Sequence, residues 1–359
     1  MKKLDIVLLS AVFLLLFFGM LIIFDASSFI AFRDFGDKYH YIKDQAMWLV
    51  IGLTALTFFT FFDYHKFYGL SLPLLIVAIL LLIAVLIPGV GISVLGARRW
   101  INFHLFVLQP AEFVKLTLAI YLAAWFSTKE KGRSLAFFGL LGFVMLLVML
   151  EPDMGTAMII FSECIVLYFL EGAKIIYFLY IAPVVALIGF ILVKIEPYRA
   201  ARLATFLNSD HALETSSYHV RQILIALGTG GVTGVGLGNS LQKYAYLPES
   251  TTDSIFAIIA EEVGFIGSTI LIGIFIVVVW RGFLIASRAR DTFGKLLAAG
   301  IITFLGVQMI INLGAQTALL PLTGVPLPFI SYGGSALIVD LSAIGILLNI
   351  SRQSEVKHT

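Results

Sequence analysis

The chain has 359 residues, of which 60% are hydrophobic and only 13% charged, and its mean hydropathy is +1.01. A soluble globular domain carries roughly 25% charged residues, so this composition excludes a water-soluble fold and marks a polytopic membrane protein. The net charge of +2 points to no particular partner, and the single Cys164, set in an apolar run, excludes a disulfide framework or a thiol metal cluster.

Met1-Lys2-Lys3 leads directly into an apolar run of about 20 residues, the length that crosses a bilayer. The nearest small-residue stretch, Ala26-Ser27-Ser28, lies too far along for signal-peptide cleavage, so the first helix is expected to be retained. Ten spans are expected, at 4–24, 45–62, 70–87, 108–126, 135–150, 154–170, 175–193, 254–281, 296–319 and 333–351. An even count puts both termini on one side, and the distribution of Lys and Arg decides which. With the termini inside, the inner segments hold Lys2, Lys3, Lys66, Lys129, Lys131, Arg133, Lys174, Arg281, Arg288, Arg290, Lys295, Arg352 and Lys357. The short outer loops hold only Arg33, Lys38, Lys43, Arg98 and Arg99. Both termini are therefore expected in the cytoplasm. The outer side then carries loops at 25–44 and 88–107, a break at 151–153, a long segment at 194–253 and a Pro-rich turn at 320–332. No internal repeat is visible, which argues against transporter folds built from repeats.

Arg98-Arg99-Trp100 sits just before the fourth span. It reads either as an interfacial anchor or as a phosphate clamp, since the guanidinium fork matches phosphate oxygens. Gln109 to Lys115 opens that span, and Glu112 and Lys115, three residues apart, share one helix face. Such a pair either locks helices or lines a polar cavity. Glu151-Pro152-Asp153 is a sharp turn, with Asp153 suited to cap the next helix. Glu163 falls inside the sixth span and Asp340 inside the tenth; a helix-to-helix hydrogen bond is the default role of each.

In the long outer segment, Tyr218 to Leu227 has helical apolar spacing and reads as an amphipathic surface helix. Gly228 to Gly238 is glycine-rich, but no Gly-Lys-Ser/Thr follows, so it is no nucleotide loop. Residues 244–264 carry a polar turn, then Asp253, then an apolar helix with Glu261 and Glu262 about two turns down. Asp253 reads as a helix cap or as a functional acid at the membrane mouth, where a carboxylate is costly and needs a reason. The stretch from Pro321 to Ser335, with three prolines and three glycines, cannot be helical throughout. Irregular backbone near membrane depth is tolerated only when buried or lining a cavity.

Taken together these blocks resemble the SEDS family (shape, elongation, division, sporulation) of peptidoglycan polymerases. The match is carried, in order, by Gly96-Ala97-Arg98-Arg99-Trp100-Ile101 with Gln109-Pro110-Ala111-Glu112-Phe113-Val114-Lys115, by Glu151-Pro152-Asp153-Met154-Gly155-Thr156, by Gly228 through Gly264 with Leu247-Pro248-Glu249 and Asp253, and by the Pro-rich entry to Ser335. It departs from the usual family pattern at Ala111 (Ser), Glu151 (Gln) and Ser254 (often Phe). Asp25-Ala26-Ser27-Ser28, Gly36-Asp37-Lys38-Tyr39 and the ending Leu348-Asn349-Ile350-Ser351-Arg352 resemble the division member FtsW and its sporulation relative more than the elongation member RodA.

The resemblance implies an all-α, ten-helix membrane protein forming one domain over 1–359, with segment 194–253 outside. It implies a glycosyltransferase that joins lipid II units into glycan at the outer face of the bacterial cytoplasmic membrane, by inverting transfer. The competing class is a flippase for the same lipid-linked precursor. Asp253 matches the family's essential aspartate and is expected to act as the base. Arg98, Arg99, Gln109, Glu112, Lys115, Lys243, Ser331 and Ser335 are expected to bind substrate. A divalent cation, Mg or Mn, is expected without a visible ligand set, and no organic cofactor. The implied partners are lipid II, a single-span class B penicillin-binding transpeptidase and other division or elongation proteins, with no nucleic acid.

Overall fold

The computed structural model describes residues 4–94, 97–103, 106–128, 132–195, 200, 202, 206, 214–244 and 246–354. Gly96, Lys129, Lys131, Lys357 and most of 194–213 lie outside the described residues, as do Met1, Lys2 and Lys3.

The chain is mostly helical. Helix α1 (Ile6–Phe35) starts at an Asp5 cap that accepts from Leu8 N at 3.0 Å and ends at Gly36 with φ 70°. It runs well past the expected end at 24. Nothing between Asp25 and Phe35 breaks a helix, so the regular backbone continues to the first glycine that can adopt the left-handed cap. Next come α2 (His40–Phe61) and α3 (Lys66–Leu86). The expected loop at 88–107 is instead a three-stranded antiparallel sheet of β1 (Gly91–Val94), β2 (Ala97–Asn102) and β3 (Val107–Leu108), in that order. This corrects the all-α expectation. Strands of two to six residues, with a register shift at Ile92/Ser93, are too short to announce an alternating pattern.

Five apolar or amphipathic helices follow the sheet in turn. Helix α4 (Pro110–Phe126) starts with Pro at its first turn. After it come α5 (Ser134–Leu150), α6 (Met154–Leu170) and α7 (Ile175–Ile195). Helix α8 (Glu214–Gly230) contains the expected amphipathic stretch, and its Ile223 and Ala226 are buried. The last three helices are α9 (Ile255–Arg288), α10 (Thr292–Gln316) and α11 (Gly334–Gln353). Among the described residues six helices, α1, α2, α3, α9, α10 and α11, are long and apolar enough to cross a membrane, and α5 and α6 are shorter apolar helices.

Helix α10 is the hub. It packs on α4, α6, α9 and α11 and is buried along most of its length, while α2 lies against α11 and α3 against α4. Helices α1 and α9 lie antiparallel, joined at two levels. Arg281 reaches Asp5 at 2.5 to 3.1 Å, and Lys243 bridges Asp25 and Glu262. The levels are separated by about 20 residues on each helix, hence by about 30 Å at 1.5 Å per residue, which is the thickness of a hydrocarbon core. The charges mark the two boundaries of an apolar slab.

Helix α9 is broken where the second level lies. Gly264 has φ 68°, and the glycine-rich loop sews itself into the break. Val235 N and Gly236 N donate to the carbonyls of Glu261 and Glu262 at 3.0 Å each. Phe265 N and Ile266 N donate to Gly231 O and Val232 O at 2.9 and 3.1 Å. The backbone groups freed by the break are thereby satisfied, as a low-dielectric setting requires.

Candidate active site

Asp253 ends a polar turn whose backbone is held from several directions. Ser254 N donates to Glu249 O at 3.0 Å. Ser331 Oγ donates to Thr252 O at 2.6 Å, and Tyr332 N to Thr251 O at 2.9 Å. Helix α10 contributes Gln308, Asn312 and Gln316, spaced by four residues and so aligned on one face. Asn312 Nδ2 donates to Asp253 O at 3.1 Å and to Val325 O at 2.7 Å. Gln316 Oε1 accepts from Ala257 N at 2.8 Å, and Gln308 Nε2 donates to Pro326 O at 3.1 Å. One polar stripe thus fixes the backbone of Asp253, the first turn of α9 and the Pro-rich segment together. The cap position of α9 is taken by Ser254, with no capping hydrogen bond from its side chain. The capping explanation of Asp253 therefore fails.

The Asp253 side chain faces a cavity of about 590 Å³ at this end of the bundle. Its walls come from α2 (Asp44, Trp48), the sheet (Arg99, Trp100), the start of α4 (Gln109, Glu112), the α5–α6 turn (Asp153) and the Pro-rich segment (Tyr332, Ser335). Burial pushes the Asp253 carboxyl up from 3.8 to about 7. The nearby carboxylates of Glu249 and Asp153 push the same way, and the guanidiniums of Arg202 and Arg99 oppose them. The acid is thus poised near neutrality, where a general base is most useful.

Arg99 sets the far wall. Its Nε donates to Glu151 O at 3.3 Å, and its terminal nitrogen donates to Pro152 O. Below this turn Glu151 is fully buried, with neither carboxyl oxygen hydrogen-bonded among the described residues. Burial first, then the Asp153 carboxylate, raise it to about 9, so it is a neutral acid at physiological pH. Asp153 caps α6, accepting from Thr156 N at 3.1 Å, and also accepts from Gln109 Nε2 at 3.2 Å. Ser335 Oγ accepts from Gln109 N at 3.1 Å.

Of the residues expected at the site, the structure brings Asp253, Arg99, Gln109, Glu112 and Ser335 to one cavity. The other four do not line it. Arg98 turns to Leu86 O at 3.5 Å, and Ser331 is buried in its bond to the Asp253 turn. Lys115 lies fully buried beneath the cavity, paired with Glu112 at 2.8 Å and donating to Gln308 Oε1 at 2.6 Å. Lys243 is 5% exposed and bound between Asp25 and Glu262. Sequence reasoning gave Asp44, Trp48 and Tyr332 no role. Tyr332 Oη donates to Asp44 at 2.5 Å and Trp48 Nε1 to the same oxygen at 3.3 Å. Asp44 four residues before Trp48, hence on one face at the mouth of α2, is the signal that could have found those two. Among the described residues no group of three or more His, Cys, Asp or Glu side chains is placed to hold a metal ion. The described residues therefore show no protein-built divalent site.

A helical bundle with helices able to cross a membrane, holding a carboxyl of raised pKa against a cavity at one end, defines an integral membrane protein. The chain belongs to the FtsW/RodA/SpoVE family, whose model, described as a cell cycle protein, matches residues 6–356. It is 41% identical to stage V sporulation protein E of Bacillus subtilis, over 98% of this chain and 97% of that one. It is 38% identical to the probable peptidoglycan glycosyltransferase FtsW of Trichlorobacter lovleyi, over 97% and 93%. Among solved structures it is similar to a chain from work on the structural coordination of polymerization and crosslinking by a peptidoglycan synthase complex (26% identity, 98% of each chain, TM-score 0.80). It is also similar to the rod shape determining protein RodA of Thermus thermophilus (26% identity, 99% of each chain, TM-score 0.72).

Proposed function

We propose that this protein is a peptidoglycan glycosyltransferase of the cytoplasmic membrane, polymerising lipid II, on the division or sporulation side of its family. The observation that carries the reading is Asp253. It falls on the family's motif, faces a polar cavity at one end of the bundle, and is held near neutral pKa by burial. The whole chain acts as one transmembrane domain of ten spans with cytoplasmic termini, which puts the cavity on the outer face. The excess of Lys and Arg in the opposite segments supports that orientation.

In the proposed reaction an acceptor sugar hydroxyl attacks the anomeric carbon of the donor. Asp253 takes the hydroxyl proton as the new glycosidic bond forms. The bond from that carbon to the diphosphate oxygen breaks, and the configuration inverts. Developing charge on the leaving diphosphate falls to Arg99 on the cavity wall and to Arg202, whose guanidinium also acts on Asp253. Lys115 acts at one remove, because it lies buried behind Glu112 of the cavity wall and is paired with it. The similarity to a chain of a peptidoglycan synthase complex that coordinates polymerization and crosslinking supports a crosslinking partner, and the family resemblance implies that this is a single-span class B penicillin-binding protein.

The test is to incubate the purified protein and its partner with labelled lipid II in detergent and resolve glycan chains on a gel. Polymer is expected, and Asp253→Asn should remove it, since loss of a general base costs ~10²–10⁴ in rate. Precursor transport across vesicles with no polymer would establish the flippase instead.

A further inference from the structure

We infer that Lys243 is a positioning residue for Asp253, its ammonium clamping the segment that carries the acid between α1 and α9. The inference rests on the polymerase reading only for its kinetic test.

Lys243 has three ammonium hydrogens and three acceptors. Asp25 Oδ1 lies at 2.7 Å, Asp25 Oδ2 at 2.8 Å and Glu262 Oε1 at 3.2 Å. Lysine has no further donor to offer a phosphate. The side chain is buried and off the cavity wall. A substrate contact by Lys243 would require one of these bonds to break.

The same carboxylates hold the neighbouring turn. Glu262 Oε1 also accepts from Ser240 N at 3.2 Å, and Ser240 Oγ donates to Glu261. Glu261 reaches across to Thr229 of α8, whose hydroxyl donates to it at 3.3 Å. Tyr244 packs edge-on against Phe29 of α1 with centroids 5.1 Å apart. Beyond it Leu247 N donates to Gln242 O at 3.1 Å. The Leu247 side chain fills a small core with Ala26 of α1, Ile223 and Ala226 of α8, and Ala257 and Ile258 of α9. From Leu247 the chain makes one turn to Asp253. The ion pair therefore ties Lys243, four residues before Leu247 of this core, to Glu262, two residues before the Gly264 break, and closes the loop from 243 to 262 that contains Asp253. Glu261 and Glu262, which had no assigned purpose, become the anchors of the clamp.

The experiment compares Lys243→Met, Asp25→Asn and the double variant with wild type, using the full-length protein with its partner. A clamp predicts that kcat falls about tenfold or more while KM for lipid II stays within about threefold. The double variant should be no worse than the worse single one, because both remove the same clamp. Lys243→Arg should keep most of the activity. Asp25 is partly exposed, so Asp25→Asn keeps the test available should Lys243→Met fail to fold. Native-state hydrogen exchange is the independent arm. Amides of 240–254 should exchange faster in both single variants while those of α10 do not change. A loss expressed mainly in KM, additive losses, or unchanged exchange in 240–254 would overturn the inference. If wild type makes no glycan, the polymerase reading fails, and the exchange arm alone decides for or against the clamp.

Discussion

At the scale of the residue the chemistry turns on the Asp253 carboxyl, which burial raises from 3.8 to about 7. Glu249 and Asp153 raise it further while Arg202 and Arg99 oppose them, a gathering of separate segments that the sequence alone does not report. A base must be ionised to accept a proton, so kcat/KM should fall about tenfold per pH unit below pH 7, the value for the free enzyme. A profile flat down to pH 5 would return Asp253 to an ordinary exposed carboxylate. The same shift fixes the sign of a stability effect. The folded pKa is raised above the unfolded one, so wild type loses stability as pH rises from about 4 to about 7. Asp253→Asn should therefore gain in melting temperature over wild type across that window while losing polymerisation. Glu151 gives the second residue-scale prediction. Its folded pKa of about 9 stands far above the ordinary 4.5, so a neutral side chain sits where the family usually has Gln. Glu151→Gln should keep activity at pH 7, and its melting temperature should exceed that of wild type by a margin that widens from pH 5 to pH 9. A margin that does not vary with pH would show that Glu151 is ionised in the folded protein.

At the scale of elements, the long apolar helices were legible because twenty apolar residues leave few alternatives. The small sheet and the break in α9 were not. The strands of the sheet are too short to show alternation, and the break depends on backbone pairing between the glycine-rich loop and a helix well beyond it in sequence, so periodicity reports neither. The break has a sharp steric signature. A Cβ at Gly234, which has φ 80°, would lie 2.1 Å from Glu262 O. Gly228, in α8, has nothing within 4 Å of such an atom. Gly234→Ala should destabilise the protein by about 2–3 kcal/mol through strain and loss of the stitched break. Gly228→Ala should be neutral or stabilising by up to about 1 kcal/mol. Equal melting temperatures for the two would remove the steric account. The Glu112–Lys115 pair was legible from its spacing, but its third member was not. Gln308 of α10 takes the ammonium at 2.6 Å and joins the pair to the stripe that fixes Asp253. Truncating one partner of a buried pair costs about 3–5 kcal/mol, because a charge is stranded. Glu112→Gln and Lys115→Met should each lower stability, with the double variant less harmed than the sum. Strict additivity would show that the pair does not act as a unit.

For the whole molecule the question is which end faces the periplasmic side of the membrane, since that decides between polymerisation from the outer leaflet and any other use of the cavity. Two layers of charge, Asp5–Arg281 and Asp25–Lys243–Glu262, lie about 30 Å apart along α1 and α9 and leave only one slab for the bilayer. They fix the depth of the cavity, at the Lys243 layer, but not its side. The side rests on the positive-inside imbalance, which sequence alone supplied. The chain is well suited to a direct test, because its one cysteine, Cys164, is 1% exposed and should be silent to thiol reagents. Lys38 and Asn239 are exposed at the cavity end, and Ser287 is exposed at the Arg281 end. In intact spheroplasts a membrane-impermeant maleimide should label Lys38→Cys and Asn239→Cys. Ser287→Cys should label only after the membrane is permeabilised. The inverse pattern would place Asp253 in the cytoplasm, where no outer-leaflet acceptor can reach it, and the polymerase reading would fall with the topology. The expected pattern leaves Asp253 at the outer boundary and both sugars on one side of the bilayer, so that polymerisation requires no transmembrane gradient.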